Sequence, residues 1–371
     1  MKYWLNVVLF VCTLAMGISC VDPYEPPVVA EANNYLVVEG VLRSGAPSHI
    51  RLTRTARLAD TASIMTETAA VLAVESEGGS IFHLQESENG TYALEAIDLS
   101  PQDRYRLRIK TRDSKEYLSD YVEVKQSPPI DSLSWTMNSS GVQLFVTTHD
   151  PQDNTRFYRW EFEETWEFRS PYQSTVQYID GQIVDRIPPT PTRCWQYNNS
   201  SRLLLGSSAK LGKDIIYMQQ LASVPYGSWK LATKYSILVK QYALSQEAFE
   251  YYQQMKKNSE QMGSFFDPQP MELGGNIYSL STPSEPVIGF FSAGSVAEKR
   301  MFIHAGELES WGYRMICDLK EVSADSFAFY FAGRLTPIYQ DFLTGNVYGL
   351  ASVHCFDCSL RAIPVEPDFW E

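Results

Sequence analysis

The sequence predicts a mainly β protein of tandem antiparallel β-sandwich domains, immunoglobulin-like or fibronectin-like, with one inserted α-helix. Tyrosine and phenylalanine are abundant, at 22 and 18 residues, and aromatic side chains pack well on pleated sheets. Roughly seven short strand-like runs follow one another at a spacing of about ten residues, which is typical of a sandwich. Only one stretch of the chain changes convincingly to a helical period.

The first β-sandwich is expected over residues 35–126. Its clearest strand is Arg104–Lys110, in which Tyr105, Leu107 and Ile109 alternate with basic residues. This alternation is typical of a half-buried strand in an antiparallel sheet. Two adjacent prolines in Gln126–Pro129 predict a domain boundary, because proline ends strands and stiffens linkers. A second β-rich domain is expected over residues 127–371.

The inserted helix is predicted near residues 245–262. Ala248, Tyr252 and Met255 recur at intervals of four and three residues, which places them on one helical face. Ser245 can cap the start of this helix, and Gly263 suits its end. Further strands are expected after the helix, including one over residues 327–331.

The first nineteen residues resemble a bacterial lipoprotein signal peptide. Leu5–Met16 is apolar but too short to cross a bilayer, and small or apolar residues lead to Cys20. We expect Cys20 to be the lipidated residue, carrying acyl chains such as palmitate, and residues 20–34 to form a proline-rich tether. The protein would then be anchored to the outer membrane, on a face that the sequence does not determine. The alternative is an ordinary signal peptide with Cys20 in a disulfide.

The net charge argues against two classes of partner. With a formal charge of −13 and a pI near 5.0, the chain lacks the basic surface that nucleic acid requires. The same charge argues against electrostatic docking to anionic lipid headgroups. We therefore expect the membrane to be a partner only through the anchor at Cys20.

Four cysteines remain after Cys12 and Cys20 are set aside, and an even number in an exported protein predicts disulfides. Sequence alone leaves three pairings open. We expect Cys355 to pair with Cys358 and Cys194 with Cys317. Although Cys355 and Cys358 form a C-x-x-C motif with His354 beside it, neither redox nor zinc chemistry is favoured. No βαβ pattern or second matched ligand pair accompanies the motif.

Motifs for catalysis or cofactor binding are not found. The sequence has no G-x-S-x-G, no H-E-x-x-H and no glycine-rich phosphate loop, and its five histidines are scattered. Neither a metal nor a cofactor is therefore expected. The 44 acidic residues could always supply a carboxylate pair for hydrolysis, so their number alone is uninformative.

Several stretches, taken in order, resemble one known family. They are Cys20–Tyr24, Tyr35–Gly40, Asp150-Pro151 before Tyr158–Trp160, Cys194-Trp195, Gly263–Pro270, Gly275–Ile277, Val287–Ala293, Cys355–Cys358 and Pro367–Trp370. Together they are similar to the domain-of-unknown-function family numbered 4249 (DUF4249), lipoproteins of Bacteroidetes-type bacteria. The resemblance implies no established activity. It implies a TonB-dependent outer-membrane receptor as partner, since members are commonly encoded beside such receptors.

These observations favour a lipid-anchored binding or accessory protein over an enzyme. An envelope hydrolase with an unidentified carboxylate site and a purely structural envelope protein remain as alternatives. A cleft with two close carboxylates of perturbed pKa would favour the hydrolase. An aromatic groove without such a pair would favour binding. The segment after the helix has a composition suited to partner contact, and we expect this contact at Phe265, Phe266, Asp267, Pro268 and Pro270.

Overall fold

The structure is a computed structural model that describes residues 34–56, 65–180, 182–260, 274–332, 335–340 and 347–370. The predicted signal peptide, Cys20 and the tether up to residue 33 lie outside the described residues. Within them the chain is mainly β, as predicted, and most of its strand pairs are antiparallel. Among the helices of the described chain, none is long and apolar enough to cross a membrane.

Strands follow one another along the chain, with short helices between some of them. The strands up to residue 169 are β1 (Leu36–Gly40), β2 (Leu42–Arg43), β3 (Ser48–Arg54), β4 (Met65–Thr66), β5 (Val71–Ser76), β6 (Ile81–Glu88), β7 (Thr91–Leu94), β8 (Arg104–Lys110), β9 (Glu116–Ser119), β10 (Val122–Lys125), β11 (Ile130–Asn138), β12 (Gly141–His149) and β13 (Phe157–Arg169). The later strands are β14 (Val176–Ile179), β15 (Gln182–Asp185), β16 (Arg193–Asn199), β17 (Leu204–Ser207), β18 (Ile215–Pro225), β19 (Lys234–Ala243), β20 (Ile277–Ser279), β21 (Ile288–Gly289), β22 (Ala293–Gly294), β23 (Val296–His304), β24 (Lys320–Ser323), β25 (Thr336–Gln340) and β26 (Val347–Ala351). The helices are α1 (Gln246–Glu260) and α2 (Phe327–Ala332), with 3-10 turns at Trp229–Leu231, Ala305–Glu307, Ala324–Ser326, Val353–Cys355 and Cys358–Leu360.

The first sandwich is a continuous network of thirteen strands, β1 to β10 with β20, β21 and β22. Its core is one cluster that includes the fully buried Leu36, Leu52 and Leu72. Strand β8 alternates as predicted, since Tyr105, Leu107 and Ile109 are buried between more exposed basic residues. The two-residue alternation of apolar and basic side chains therefore determines which face of this strand packs against the core.

Residues 274–295, the return segment, pass back from the second half of the chain to the first sandwich. Strand β20 pairs with β9, β21 pairs in parallel with β1, and β22 pairs in parallel with both β2 and β10. Ile277, Val287 and Phe291 are buried in the core of the first sandwich. The predicted boundary at residue 126 is therefore incomplete. Strands β20, β21 and β22 come from the range assigned to the second domain, but they belong to the first sandwich. Local composition cannot report such a long-range pairing.

The second sandwich packs two sheets against each other. One sheet has the order β11-β12-β18 and the other the order β16-β13-β19-β23, with β17 also paired to β13. Val142, Val146, Trp160 and Ile237 lie in their shared core. The indole Nε1 of Trp160 donates to Gln241 Oε1 at 2.8 Å, which satisfies a polar atom in a fully buried ring.

Helix α1 covers one end of the outer face of the five-stranded sheet. Ala248 and Tyr252 are buried, and Met255 packs in the same cluster with Leu205 of β17. The predicted helical face is thus the face that packs inward. Ser245 caps the helix, because its Oγ accepts from the Ala248 backbone N–H at 3.1 Å. The predicted stop at Gly263 lies outside the described residues.

A strand was predicted over residues 327–331, and this prediction was wrong. These residues form α2, which follows a 3-10 turn at Ala324–Ser326. Phe327 is buried against Tyr178 and Tyr348, whereas Phe329 is 77% exposed. A strand would place both phenylalanines on one face, but a helix separates them. The high β-propensity of aromatic residues misled the prediction at this short segment.

The disulfides pair differently from the prediction. The structure contains Cys194–Cys358 and Cys317–Cys355, not Cys355–Cys358 and Cys194–Cys317. Two successive 3-10 turns, Val353–Cys355 and Cys358–Leu360, separate the cysteines of the C-x-x-C motif. Cys355 packs beside Ile338 and Phe356, while Cys358 packs beside Phe168 and Cys194. The two thiols therefore enter different clusters, so each bridges to a distant strand or loop.

Residues 363–370, the tail, cover the other end of the outer face of the five-stranded sheet. The Trp370 ring lies 6.2 Å from the Trp195 ring and 5.7 Å from the Phe302 ring, and Trp370 is buried. The Phe369 ring centroid lies 3.5 Å from the Arg300 guanidinium carbon. The middle of the outer face lies between the tail and α1.

Candidate binding cleft

A cleft of about 970 Å³ lies between the first sandwich and the start of α1. Four separate parts of the chain line it. They are the region around β10 with Arg104, the start of β13 from Asn154 to Phe157, the start of α1 from Ala243 to Gln254, and the return segment with Gly274, Gly275, Asn276, Phe290, Ser292 and Ala293. Its volume lies at the upper end of the range for sites of small molecules and cofactors.

The turn before β13 positions one wall. The Asp150 carboxylate accepts backbone N–H groups of Gln152, Asn154 and Thr155 at 2.9 to 3.0 Å. Burial disfavours its charged form, but these donors hold the pKa of Asp150 below its ordinary value. The turn at residues 150–155 is thus held by its first aspartate, whose oxygens accept hydrogen bonds from backbone groups.

The return segment forms the opposite wall, and Asn276 fixes its shape. The Asn276 amide donates to the Phe291 carbonyl and accepts from the Phe291 backbone N–H, both at 2.8 Å. The Asn276 side chain therefore takes the place of a neighbouring strand's backbone in its hydrogen bonds to Phe291. A Cβ on Gly275 would lie 1.7 Å from the Gly289 carbonyl oxygen, so only glycine permits this approach.

The lining combines aromatic, amide and charged side chains of both signs. The rings of Tyr251 and Phe290 lie 5.5 Å apart, and burial raises the pKa of Tyr251, so its hydroxyl stays protonated. Glu123 binds Lys125 at 2.8 Å, and this ion pair lowers the Glu123 pKa. Glu123 is therefore a charged partner of a lysine, which does not suit it to act as a general acid.

Arg156 offers the cleft donors that the described residues do not use. Its Nη1 is buried and has no hydrogen-bond acceptor among them. Its Nη2 lies 4.0 Å from the nearest carboxylate oxygen, on Asp153. By contrast, Arg104 is held by Glu77 through two contacts of 2.6 and 2.7 Å. A guanidinium with free donors is suited to bind a carboxylate or a carbonyl group of a ligand.

The site residues predicted from the sequence either lie outside the described residues or do not line this cleft. Cys20 and the partner-contact candidates Phe265, Phe266, Asp267, Pro268 and Pro270 lie outside the described residues. None of the four disulfide-bonded cysteines is among the lining residues. Sequence reasoning missed Arg156 and the structural role of Asn276. The Gly274-Gly275-Asn276 run was the available signal, because two glycines before an amide indicate a close backbone approach.

One group of potential metal ligands occurs in the described chain. A ligand atom from each of Cys317, His354 and Cys355 lies within 4.8 Å of the others. The two sulfur atoms form a disulfide in this structure. As thiolates are the metal ligands of cysteine, the oxidised pair does not offer a metal site.

Comparisons with known proteins place the chain in a family. No curated protein matches the sequence. A two-domain fibronectin type-III segment of chicken tenascin is 12% identical, with 57% of this chain and 92% of that chain covered and a TM-score of 0.18. Chitinase ChiA74 from Bacillus thuringiensis is 9% identical, with 53% of this chain and 30% of that chain covered and a TM-score of 0.16. TM-scores this low do not support a shared fold, so the fold class is assigned from the sheets described above.

The sequence profile named "Domain of unknown function (DUF4249)" matches residues 21–300, which is more than half of the chain. The chain therefore belongs to the DUF4249 family.

Proposed function

We propose that the protein is a lipid-anchored binding or accessory protein of the cell envelope. Cys20 would hold it at the outer membrane, and the cleft would bind a ligand or a segment of a TonB-dependent receptor during nutrient uptake. The observation that carries this proposal is the cleft, whose walls come from four parts of the chain and include Arg156 with unused donors. Preformed concave sites of this size are the usual sites of ligand binding.

The nature of the lining favours binding over hydrolysis. Glu123 is paired with Lys125, and Glu250 accepts from Gln246 at 2.8 Å on the surface of α1. Buried Tyr251 together with Phe157 and Phe290 offers apolar contact area beside these polar groups. Such a combination is suited to fix the orientation of a bound molecule.

The cleft proposal is tested by recovering partners from outer membranes with the intact lipoprotein as bait. The variant Arg156→Glu should reduce recovery of the bound receptor about tenfold, because it places a carboxylate where a ligand would meet a guanidinium. The matched control is Arg112→Glu, an exposed position that does not line the cleft. Equal recovery by both variants, or the absence of any receptor with the parent protein, would contradict the proposal.

The anchor is tested separately by Cys20→Ser. The variant has no thiol to acylate, and we expect it in the soluble periplasmic fraction rather than in the outer-membrane fraction. Fractionation and intact-mass measurement check this, with the parent protein showing the added mass of its acyl chains. A variant that remains in the membrane with normal processing would exclude Cys20 as the anchor.

A further inference from the structure

The sheet of order β11-β12-β18 has an outer face without charged side chains along most of its length, which we call the neutral face. Leu133, Leu144 and Val146 point into the core of the second sandwich, so the residues that alternate with them point outwards. The outward residues include Ser134, Thr136, Gln143, Phe145, Tyr217 and Gln220. In the three strands only Asp131 and His149 have side chains that can carry a charge near neutral pH, and these two bind each other at 2.7 Å at one end of the face.

The lack of charge sets this face apart from other surfaces of the protein. Charged residues make up 20% of the chain, and its net charge is −13. On the outer side of β8, by comparison, Arg104, Arg106 and Arg108 are each paired with a glutamate. The outer face of the five-stranded sheet is covered at its two ends by α1 and the tail, whereas Thr136 and Gln220 of the neutral face are exposed. The neutral face therefore offers a ligand hydroxyl, amide and aromatic groups without a counter-charge.

A distortion of β18 projects Tyr217 from this face. Tyr217 and Met218 together lie opposite Thr147 alone, which is the arrangement of a β-bulge. Met218 has a φ of 48°, in the left-handed region that is uncommon for a residue other than glycine, and its N–H donates to Thr147 Oγ1 at 3.1 Å. The Tyr217 side chain is 76% exposed. Because bulges re-aim side chains, this one makes the tyrosine ring available for contact with a ligand.

Two glutamine side chains form an ordered row next to Phe145. Gln220 Nε2 donates to Gln143 Oε1 at 2.6 Å, and Gln143 Nε2 donates to Ser223 Oγ at 3.0 Å. Phe145 lies directly opposite Gln220 and two residues from Gln143 on the same strand, so its ring and the amide row are neighbours. Since each amide nitrogen carries two hydrogens, each glutamine keeps a donor for a ligand oxygen in an orientation that is already fixed.

We propose that the neutral face binds an uncharged oligosaccharide in an extended conformation. Sugar rings have apolar C–H faces, which pack on aromatic rings, and hydroxyl groups, which bond to amides and hydroxyls. Tyr217 and Phe145 supply the rings, and Gln143 and Gln220 supply the amides.

The dimensions and the neutrality of the face suit this ligand. Strands β11 and β12 have nine residues each, so the face is about 30 Å long, with about 10 Å between the axes of its outer strands. A chain of several sugar units can therefore lie along it. A charged chain would lose hydration without gaining a counter-charge, because Asp131 and His149 already neutralise each other. This site is separate from the cleft and does not depend on the proposal made for it.

Calorimetric titration of the full mature protein with cellohexaose, maltohexaose and mannohexaose tests the proposal. We expect at least one of these neutral chains to bind with a Kd of about 1 mM or below. A galacturonic acid hexamer, which has the same number of units but a carboxylate on each, should bind at least about tenfold more weakly than the best neutral chain. Absence of binding by all three neutral chains, or equal binding by the acidic chain, would overturn the proposal.

Two variants locate the binding. Tyr217→Ala removes the exposed ring, and we expect a loss of affinity of at least about tenfold. The matched control is Tyr278→Ala, which removes a 43% exposed tyrosine from strand β20 of the first sandwich and should leave the affinity unchanged. Thr136→Arg places a long charged side chain opposite Gln143 and should also prevent binding. Full affinity in Tyr217→Ala or in Thr136→Arg would overturn the assignment.

Sedimentation analysis of the same proteins tests a different occupant of the face. An oligosaccharide site leaves the state of association of the parent protein and of Thr136→Arg the same. If the parent instead sediments as a dimer that Thr136→Arg dissociates, the neutral face joins two copies of the chain and the proposal is overturned.

Discussion

Replacing Cys194 and Cys358 together by alanine should lower the free energy of unfolding by roughly 5 kcal/mol, the largest effect of a covalent change in this protein. The bridge joins residues separated by 164 positions, and a cross-link that closes so long a loop strongly restricts the unfolded chain. Both sulfur atoms are fully buried beside Phe168, so their loss also removes packing. Denaturant unfolding of the oxidised protein measures the difference.

The second bridge supplies the control for this experiment. Cys317 and Cys355 are separated by 38 positions, and their replacement by alanine should cost about 4 kcal/mol. Peptide mapping without reduction should recover a fragment that links Cys194 to Cys358. Recovery of a Cys355–Cys358 fragment, or a smaller loss for the long loop than for the short one, would contradict this account.

Replacement of Glu164 by alanine should cost about 3 to 5 kcal/mol, because it leaves buried partners without an acceptor. Glu164 is 4% exposed and accepts from Tyr235 Oη at 2.7 Å, Lys230 Nζ at 2.6 Å and Asn198 Nδ2 at 2.7 Å. Burial and the nearby Glu164 carboxylate raise the pKa of Tyr235 well above its ordinary value, so the hydroxyl remains a donor. Thermal and denaturant unfolding measure the loss.

The neighbouring Glu163→Ala is a close control for this prediction. Glu163 lies on the same strand but on the outer face, where it is 44% exposed and paired with Lys240. An exposed ion pair contributes little, so we expect a change below about 1 kcal/mol. If both variants lose the same stability, the hydrogen bonds of Glu164 do not provide the stabilisation assigned to them.

The sequence predicts local features of this fold well. Strand β8 was recognised because its buried residues alternate, and α1 because Ala248, Tyr252 and Met255 recur at helical spacing. Each pattern results from contact with one core on one face, so it is visible within a few consecutive residues. Short segments such as α2 carry too few residues to distinguish the two periods.

Long-range features were not predictable in the same way. The cysteine pairing depends on where two 3-10 turns direct Cys355 and Cys358, and the cleft depends on four stretches that are distant in sequence. Arg156 follows the turn that Asp150 holds, but its free donors result from the positions of the surrounding groups, which the local sequence does not show. The family resemblance identified Gly275–Ile277 without indicating that Asn276 binds the Phe291 backbone.

The return segment also has a consequence for the order in which the molecule acquires its structure. Synthesis delivers the chain from its N-terminus, so residues 35–125 emerge well before strands β20, β21 and β22. Until residue 294 emerges, β1, β2, β9 and β10 each lack a strand partner that they have in the finished protein. Unpaired strand edges readily pair with other chains, and contacts between residues far apart in sequence form slowly. A chain that has not yet delivered residue 294 therefore exposes strand edges of the kind that favour aggregation, and a holding chaperone would protect the incomplete first sandwich.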